Sequence, residues 1–429
     1  MLDIKWIREH KEEVQRAAER KGIPLSIEDL LASDGRRRSL LQEIEQLRQA
    51  RNRLTRETND LMKHGKQEEA DASKAKVREV NGKLIVLENE LSEIEAELHT
   101  LLLQVPNITS TDTPYGRSDE DNVEIRRVGE PAQLDFEALD HIALGELHQI
   151  IDLPRGVKTA GSRNYYLKGA GVQLHRAVQQ LAVDLLTSKG FTLLEVPLLV
   201  RTAAMMNTGF FPAGEEQTFR IADDDKWLVG TSEVPIVSFY SNEIVDVTHP
   251  LKLAAVSQCF RNEVGSAGRD VHGLYRVHQF AKVEQVILCR ANLEESEQML
   301  QELTQNAEEL LQLLELPYRV MSVCTGDMSQ KTYKQYDLES WMPSRQAYGE
   351  THSSSNILDF QARRSNIRYR DDQGSLKYCY TLNNTAVASP RILIPLLENH
   401  QEEDGAIRIP LALRPYMNGM DRLVPNLLS

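Results

Sequence analysis

Two heptad-spaced series separated by a short turn constrain the fold of the N-terminal quarter of this chain. Between the two series lies His64-Gly65-Lys66, a sequence typical of a turn. Largely apolar positions that recur at alternating steps of three and four form the seam of a coiled coil. The pattern therefore predicts an antiparallel pair of long helices with a narrow apolar stripe. The series are Leu40, Ile44, Leu47, Arg51, Leu54, Thr58, Leu61, and Val77, Val80, Leu84, Leu87, Leu91, Ile94, Leu98, Leu101, Val105.

Charge is distributed unevenly along this predicted helical arm. Residues 36–66 carry nine basic and four acidic side chains, whereas residues 67–103 carry four basic and nine acidic ones. The net charge of the whole chain, −14, argues against general nucleic-acid affinity. A local basic strip can still bind phosphates on an acidic protein. The alternative is that the two strips attract each other as paired helices.

The remaining sequence predicts a second domain of the α+β class. Pro106 ends the arm, and residues 107–122 are rich in Thr, Ser, Asp and Gly, which is typical of a linker. Helical patterns then mix with short strand patterns without a βαβ rhythm, which predicts an antiparallel sheet with helices alongside. The predicted helices cover 172–189 and 293–314, and the predicted strands cover 191–200, 226–230 and 377–382. We divide the chain into a helical domain at 1–104, a linker at 105–122 and a second domain at 123–429.

The cysteines and the apolar runs limit the compartment and the class of partner. Four scattered cysteines without a CxxC pair indicate reduced thiols rather than a zinc site. No apolar run has the length of a membrane span, and the N-terminus lacks the apolar region of a signal peptide. We therefore expect a cytoplasmic protein with no membrane partner.

The segment from Cys259 to Glu284 has the composition of a nucleotide site. Its pattern predicts two short strands around a loop that contains Gly265, Gly268 and Gly273. Arginines match phosphate oxygens, an aromatic ring can cover a base, and a carboxylate can hold an ammonium group. The alternative is a solvated hairpin with cross-strand ion pairs. By alternation, one face of the hairpin carries Arg261, Glu263, Arg276, His278, Phe280, Lys282 and Glu284.

This segment resembles motif 2 of the class II aminoacyl-tRNA synthetases, and specifically that of the seryl-tRNA synthetases. The resemblance covers nearly the whole chain, from the N-terminal helices to residues 414–419. It implies a class II catalytic sheet, a homodimer built around motif 1, which ends near Pro197, and an arm that binds tRNA(Ser). The matching residues are Phe260-Arg261-Asn262-Glu263, Gly268-Arg269-Asp270 and the run from Gly273 to Glu284.

The same resemblance implies an enzyme that activates L-serine with ATP and ligates it to tRNA. It implies catalytic roles for Arg261, Glu350 and Arg391, and a Mg²⁺ held by Glu350 and Ser353. The implied serine-binding residues are Thr231, Ser232, Glu233, Arg261, Glu284, Asn383 and Thr385. The implied ATP-binding residues are Arg261, Asn262, Glu263, Arg276, Phe280, Glu350, Thr351, His352, Ser353 and Arg391. Thr231 also has a structural interpretation, as the N-cap of a following helix.

Departures from the family pattern cluster around this same site. Replacing glycines by other residues removes backbone freedom beside a ligand. Besides the ligase we consider two further hypotheses, of which this cluster favours the first. One is a paralogue specialised for self-resistance to a seryl-adenylate-like antibiotic, or for supplying seryl-tRNA to a biosynthetic pathway. The other, a non-catalytic RNA-binding homologue, is disfavoured because the motif arginines and Glu350 are present. The departures are Thr351-His352, Asn384-Thr385-Ala386, Pro390 and Val271-His272.

Overall fold

The computed structural model describes residues 1–131, 133–264 and 273–425. These residues form two compact units. The helical unit comprises Leu2–Glu19 and Ile23–Pro106, and the sheet unit comprises Met1, Arg20–Gly22 and the chain from Asn107 onward. Our expectations for residues 265–272, which include Gly265, the Gly268-Arg269-Asp270 loop and Val271-His272, lie outside the described residues. In the described ranges no helix is both long and apolar enough to cross a membrane.

The helical unit consists of two short helices followed by two long ones. Ser26 begins the third helix because its hydroxyl oxygen accepts a hydrogen bond from the backbone N–H of Asp29 at 3.2 Å. The longest helix has 38 residues, which corresponds to about 57 Å at ~1.5 Å per residue. The helices are α1 (Ile4–Glu9), α2 (Lys11–Arg20), α3 (Ile27–Lys63) and α4 (Gln67–Gln104).

Helices α3 and α4 form the predicted antiparallel hairpin. They turn at Gly65, whose φ of +74° favours glycine. The seam buries positions of both heptad series, and near the turn the hydroxyls of Thr58 and Ser73 form a buried hydrogen bond of 2.7 Å. The predicted coiled-coil arm is therefore confirmed. Buried seam residues include Leu40, Ile44, Leu84, Ile94 and Leu98.

Ion pairs join the basic strip of helix α3 to the acidic strip of helix α4. Arg48 lies 2.8 Å from Glu88, and Arg36 lies 3.5 Å from Glu97, with all four side chains largely exposed. Exposed pairs of this kind contribute at most about 1 kcal/mol. Part of the basic strip therefore serves pairing between the helices, which is the alternative interpretation of the charge pattern.

The sheet unit contains the remaining helices and all the strands. Its helices are α5 (His141–Leu147), α6 (Leu153–Ala160), α7 (Ala170–Ser188), α8 (Thr202–Asn207), α9 (Glu233–Ser238), α10 (Leu293–Leu313), α11 (Phe360–Ser365) and α12 (Leu393–Asn399). Its strands are β1 (Val123–Val128), β2 (Ile151–Asp152), β3 (Tyr166–Leu167), β4 (Thr192–Leu194), β5 (Leu199–Arg201), β6 (Lys226–Leu228), β7 (Leu251–Phe260), β8 (Gln279–Cys289), β9 (Tyr318–Ser322), β10 (Lys334–Met342), β11 (Ala347–Leu358), β12 (Arg368–Arg370), β13 (Leu376–Tyr378), β14 (Tyr380–Ser389), β15 (Ile407–Arg408) and β16 (Arg422–Leu423).

Eight strands form one sheet in the order β1-β9-β10-β11-β14-β8-β7-β4. Neighbouring strands are antiparallel except β4, which runs parallel to β7. The α+β class is confirmed. The single strand predicted at 191–200 is wrong, because it is two strands, β4 and β5, with residues 195–198 between them. Pro197 lies in this gap and has no N–H to donate to a strand ladder.

Both faces of the central strands are covered by helices. On β7 and β8, Ala254 and Val283 belong to the apolar cluster of α7, α10 and α12, whereas Ala255 and Leu288 belong to that of α9 and α11. Successive side chains of a strand point to opposite faces, so odd positions of β7 and even positions of β8 face α9 and α11. This second face is called the site face below.

Candidate active site

Strand alternation and one β-bulge decide which side chains share the site face. Lys282 and Glu284 are even positions of β8 and therefore lie on it. In β14, Thr385 is opposite Glu284, but the register shifts before Val387, so that Ala388 is opposite Lys282. An extra residue in one strand changes the side-chain alternation beyond it. The bulge thus places both Thr385 and Ala388 at the site.

A pocket opens at the end of this face, with about 500 Å³ of empty space that is partly continuous with solvent. Its walls come from the two segments that follow β7 and precede β8, and from β11 and β14. The walls are polar and contain three arginines and two glutamates. The lining residues are Arg261, Glu263, Leu274, Tyr275, Arg276, Val277, Phe280, Lys282, Glu350, Thr351, Thr385, Ala388, Pro390 and Arg391.

Arg261 is held at the mouth of this pocket by its backbone and by its side chain. Its N–H donates to the carbonyl of His278 at 2.9 Å, and its Nε donates to the carbonyl of Gly230 at 3.3 Å. The guanidinium lies 5.2 Å from the centre of the Phe280 ring, a cation–π distance. The remaining guanidinium nitrogens are thus available for a phosphate or carboxylate above an aromatic surface.

The structure corrects the predicted strand alternation around this loop. Glu263 has φ +49°, so the chain leaves the extended conformation there. Strand β8 begins only at Gln279, and the His278 N–H donates to the carbonyl of Arg163 instead of to a strand neighbour. Arg276 therefore precedes the strand, although it still lines the pocket with Glu263, 3.9 Å from the carboxylate. Lys282 and Glu284 are buried, so the solvated-hairpin interpretation is wrong.

Arg391 organises the opposite wall. Its Nε donates to the Tyr275 carbonyl at 3.1 Å and its Nη1 to the Glu350 carbonyl at 3.3 Å. The Glu350 carboxylate lies 3.6 Å from the same guanidinium, which also lies 4.5 Å from the centre of the Tyr275 ring. The Tyr275 hydroxyl donates to the Glu350 carbonyl at 3.2 Å. These contacts fix an arginine and a half-exposed carboxylate in one orientation at the pocket wall.

A second, buried cluster surrounds Glu233 at the start of α9. Its Oε1 accepts hydrogen bonds from Lys331 Nζ, from Gln361 Nε2 at 2.7 Å and from Asn383 Nδ2 at 3.1 Å. The N-cap of this helix is Ser232, not Thr231 as predicted, although the Thr231 hydroxyl, one residue before the cap, accepts the Glu233 N–H at 3.1 Å. The hydroxyl of Ser232 is buried and has no hydrogen-bond partner among the described residues.

Glu284 joins the buried cluster to the open pocket. Its carboxylate pairs with Lys282, whose side chain also lines the pocket. Burial raises the pKa of Glu284, Lys282 opposes this rise, and the charge of Glu233 adds to it. A buried carboxylate is stabilised by a neighbouring cation, so Glu284 suits a substrate ammonium group. The buried cluster around Glu233, called the buried compartment below, therefore adjoins the open pocket at the Lys282–Glu284 pair.

Glu350 and Ser353, the residues implied for Mg²⁺, are linked through Asp337. The Ser353 hydroxyl lies 3.2 Å from Gln335 Nε2 and also contacts Asp337. Burial, and then the charge of Glu350, raise the pKa of Asp337 to about 8. No cluster of three or more His, Cys, Asp or Glu side chains suited to a metal occurs within the described ranges. Mg²⁺ needs only one or two carboxylates together with substrate phosphates, so the half-exposed Glu350 fits that ion.

The departures from the family pattern occupy different places. Thr385 and Pro390 line the pocket, whereas His352 and Asn384 do not. Asn384 is buried between strands, where it accepts from Gln285 Nε2 at 2.6 Å and donates to the Ser354 hydroxyl at 2.6 Å. Asn262 and Ser353 are also not among the pocket-lining residues, and their ATP-binding roles stay predictions.

His352 is buried, and the protonation of its ring should make the stability of the fold depend on pH. Its Nδ1 lies 2.8 Å from the Thr351 hydroxyl, and its Nε2 has no partner among the described residues. Burial lowers the pKa of His352 to about 3. As the pH falls, the imidazole of the unfolded chain is therefore protonated before that of the folded chain. The His352 contribution to stability is therefore complete above the unfolded pKa of about 6.5, and it decreases below it by ~1.4 kcal/mol per pH unit.

We expect His352→Ser to reduce this sensitivity to acid. When the pH is lowered from ~6.5 to ~5, the parent should lose up to about 2 kcal/mol more unfolding free energy than the variant, because the variant has no ring to protonate. Urea unfolding at both pH values measures the change. His99→Ser, at an exposed position of α4, is the matched control. A parallel pH dependence in the parent and His352→Ser would contradict the prediction.

Sequence reasoning did not identify several residues that contact the predicted site. Lys331 and Gln361 bind Glu233, and Asp337 lies beside Ser353 and Glu350. Lys331 is 98 residues from Glu233 along the chain, and no local pattern indicates such a contact. Tyr275 lies inside the motif 2 segment, so its position beside the site could have been anticipated.

This mostly antiparallel sheet, with its arginine-rich pocket, matches the core of the class II aminoacyl-tRNA synthetases. The family model of the tRNA synthetase class II core domain (G, H, P, S and T) matches residues 218–400. The model of the seryl-tRNA synthetase N-terminal domain matches residues 1–109. Within the class, this chain belongs to the seryl-tRNA synthetase family.

Full-length relatives support the family assignment. The serine–tRNA ligase of Deinococcus radiodurans is 46% identical over 424 residues, which covers 99% of each chain. That of Thermodesulfovibrio yellowstonii is 42% identical and covers 98% of this chain and 99% of its own. The crystal structure of seryl-tRNA synthetase from Pyrococcus horikoshii complexed with ATP has a TM-score of 0.92 at 38% identity, covering 99% of this chain and 100% of that chain. The cytoplasmic serine–tRNA ligase from Naegleria fowleri, in complex with AMP, has a TM-score of 0.89 at 27% identity and covers 99% of both chains.

Proposed function

We propose that this chain activates L-serine with ATP and ligates it to tRNA(Ser). The observation that carries the proposal is that the open pocket adjoins the buried cluster of carboxylates on the site face. One is lined by arginines beside an aromatic ring, the other contains buried carboxylates, and Lys282–Glu284 joins them. ATP and an amino acid require such adjoining sites for phosphates and for an ammonium group.

In the first step, a serine carboxylate oxygen attacks the α-phosphorus of ATP, and the bond to pyrophosphate breaks. Arg261 would hold the attacking carboxylate and the α-phosphate together, because its guanidinium is fixed by Gly230 and Phe280. Positioning and charge neutralisation supply most of the acceleration in such phosphoryl chemistry. Phe280 would stack on the adenine ring, and the Glu263 carboxylate would accept a hydrogen bond from the adenine amino group. Arg276 and Arg391 would bind the distal phosphates.

Serine itself would bind in the buried compartment. Glu233 and Glu284 would hold its ammonium and hydroxyl groups, with Asn383, Thr231, Ser232 and Thr385 around them. When bound, Mg²⁺ would supply positive charge to the phosphate oxygens, and Glu350 and Ser353 would hold it. In the second step, a hydroxyl at the 3′ end of the tRNA attacks the adenylate carbonyl, and AMP leaves.

The helical arm would bind the tRNA, which is recognised largely through backbone and shape. Near its turn, Arg53 and Arg56 line an open depression together with Lys66. Across the part of the chain that the structure describes, neither arginine forms an ion pair with a carboxylate, unlike Arg48. Free arginines on an exposed helix suit phosphates. A homodimer and a cytoplasmic location remain proposals that follow from the family.

ATP–pyrophosphate exchange with a panel of amino acids tests this function, followed by charging of tRNA(Ser). We expect exchange with serine to exceed that with alanine, which lacks the hydroxyl, and with threonine, which adds a methyl group. Strong exchange with another amino acid and none with serine would overturn the proposal. The specialised paralogue and the non-catalytic homologue gain no support from the relatives, which are themselves named serine–tRNA ligases.

A further inference from the structure

The buried amino-acid compartment contains a lysine that the reaction steps above do not use. Lys331 lies between β9 and β10 and is 8% exposed. Its Nζ donates to Glu233 Oε1 at 2.5 Å and lies 3.8 Å from the centre of the Phe210 ring. An ammonium between a carboxylate and an aromatic face is held in one geometry, because each neighbour stabilises the charge.

Lys331 helps to saturate one oxygen of the Glu233 carboxylate and leaves the other available. Oε1 accepts from Lys331, Gln361 and Asn383. Gln361 is itself fixed, since it donates to the Thr208 carbonyl at 2.9 Å and accepts from the Thr381 hydroxyl at 2.8 Å. Glu233 Oε2 has no hydrogen bond to any of the described residues. The carboxylate is therefore oriented with one free oxygen for a ligand.

The charges in this compartment are balanced in pairs. Lys331 matches Glu233, and Lys282 matches Glu284. Burial lowers the pKa of Lys331 and raises that of Glu284, and the ion-pair partner of each opposes the shift. The pairs also influence each other, because the charge of Lys331 favours ionised Glu284 and the charge of Lys282 disfavours protonated Lys331. The compartment thus carries no surplus negative charge. A buried carboxylate without a partner would strongly favour any cation that could reach it.

We propose that Lys331 is a positioning residue that makes this compartment select an amino acid with one ammonium group and a neutral side chain. It orients Glu233 toward the α-ammonium and, by neutralising that carboxylate, removes the attraction for a second cation on the substrate. Discrimination then comes from charge balance as well as from shape. This inference rests on the proposed activation of serine and deepens it.

The experiment compares L-serine with L-2,3-diaminopropionate, which has an ammonium group in place of the hydroxyl. ATP–pyrophosphate exchange is measured on the acidic side of neutrality, where both amines are protonated. For Lys331→Met we expect a higher KM for serine and an almost unchanged KM for ATP. The ratio of kcat/KM for diaminopropionate to that for serine should rise by about tenfold or more, because Glu233 has lost its internal cation.

Two controls separate selectivity from general damage. Lys331→Arg keeps the cation and should keep the parental ratio. Lys334→Met removes another buried lysine, which pairs with Asp112 at 2.7 Å and Glu297 at 3.0 Å away from the pocket, and should not change the ratio. Circular dichroism checks folding, and Lys331→Gln, which is neutral and of similar length, replaces Lys331→Met if the latter does not fold.

Each outcome bears on one of the two claims. An unchanged ratio in a folded, neutral Lys331 variant overturns the role of Lys331 while leaving serine activation intact. An equal rise of the ratio in Lys334→Met also overturns it, because the effect would then be general. No serine-dependent exchange in the parent overturns the proposed function, and with it this inference.

Discussion

Arg261→Ala should fold normally and lose adenylate formation by a factor of about 10²–10³. In the proposed reaction Arg261 is a preorganised cation at the reacting phosphate, and removing one such donor costs about 3–4 kcal/mol in the barrier. The fold should survive because the side chain is only partly buried and donates to a single backbone carbonyl, that of Gly230. Serine-dependent ATP–pyrophosphate exchange measures the effect, with circular dichroism as the check on folding.

Two further variants make this test specific to the geometry of Arg261. Arg261→Lys keeps the charge but cannot bind two oxygens side by side, so it should recover only part of the activity. Arg290→Ala is the matched control, because Arg290 likewise donates to a backbone carbonyl, that of Val247 at 3.3 Å, but pairs with Asp372 away from the pocket. Nearly parental exchange in Arg261→Ala would mean that the reacting phosphate lies elsewhere.

Deleting residues 36–103 and bridging the gap with a short linker should separate the two steps of the reaction. The coiled-coil seam buries its own stripe, and the arm belongs to a different compact unit from the sheet. Serine-dependent exchange should therefore stay within about threefold of the parent. Charging of tRNA(Ser) should fall by about two orders of magnitude or more, because phosphate contacts dominate affinity for nucleic acids.

Point variants test the same role without removing the arm. Arg53→Glu with Arg56→Glu should reduce charging and leave exchange unchanged, because both arginines face an open depression. Exchanging Arg48 and Glu88 keeps the net charge and the interhelical ion pair, and serves as the control. If the deletion lowers exchange as much as charging, the arm has a structural role and the proposed separation is wrong.

The specific placement of Lys331 changes how selectivity at this site can be understood. A compartment with two carboxylates could bind any cationic side chain, but each carboxylate already has an ammonium partner. The selectivity of the site would then depend on a residue that need not touch the substrate.

The sequence alone determined the elements whose signals are local. The heptad positions and the Gly65 turn predicted the α3–α4 hairpin, because a coiled-coil seam is encoded within a window of a few turns. The motif 2 segment predicted a nucleotide site, and two of its residues, Arg261 and Phe280, do line a common pocket. Strand limits were predicted less well, since a proline at 197 and a bend before Gln279 interrupt runs that look continuous in the sequence.

Only the tertiary structure decided which distant residues meet. The β14 bulge after Thr385 changes the face of every later side chain in that strand, and no local pattern reveals a single extra residue. Lys331 reaches Glu233 only because the sheet and α9 are packed together. The periodicity of a sequence predicts whether a side chain is buried or exposed. The partner of a buried charge depends instead on strand order and register, which are properties of the whole fold.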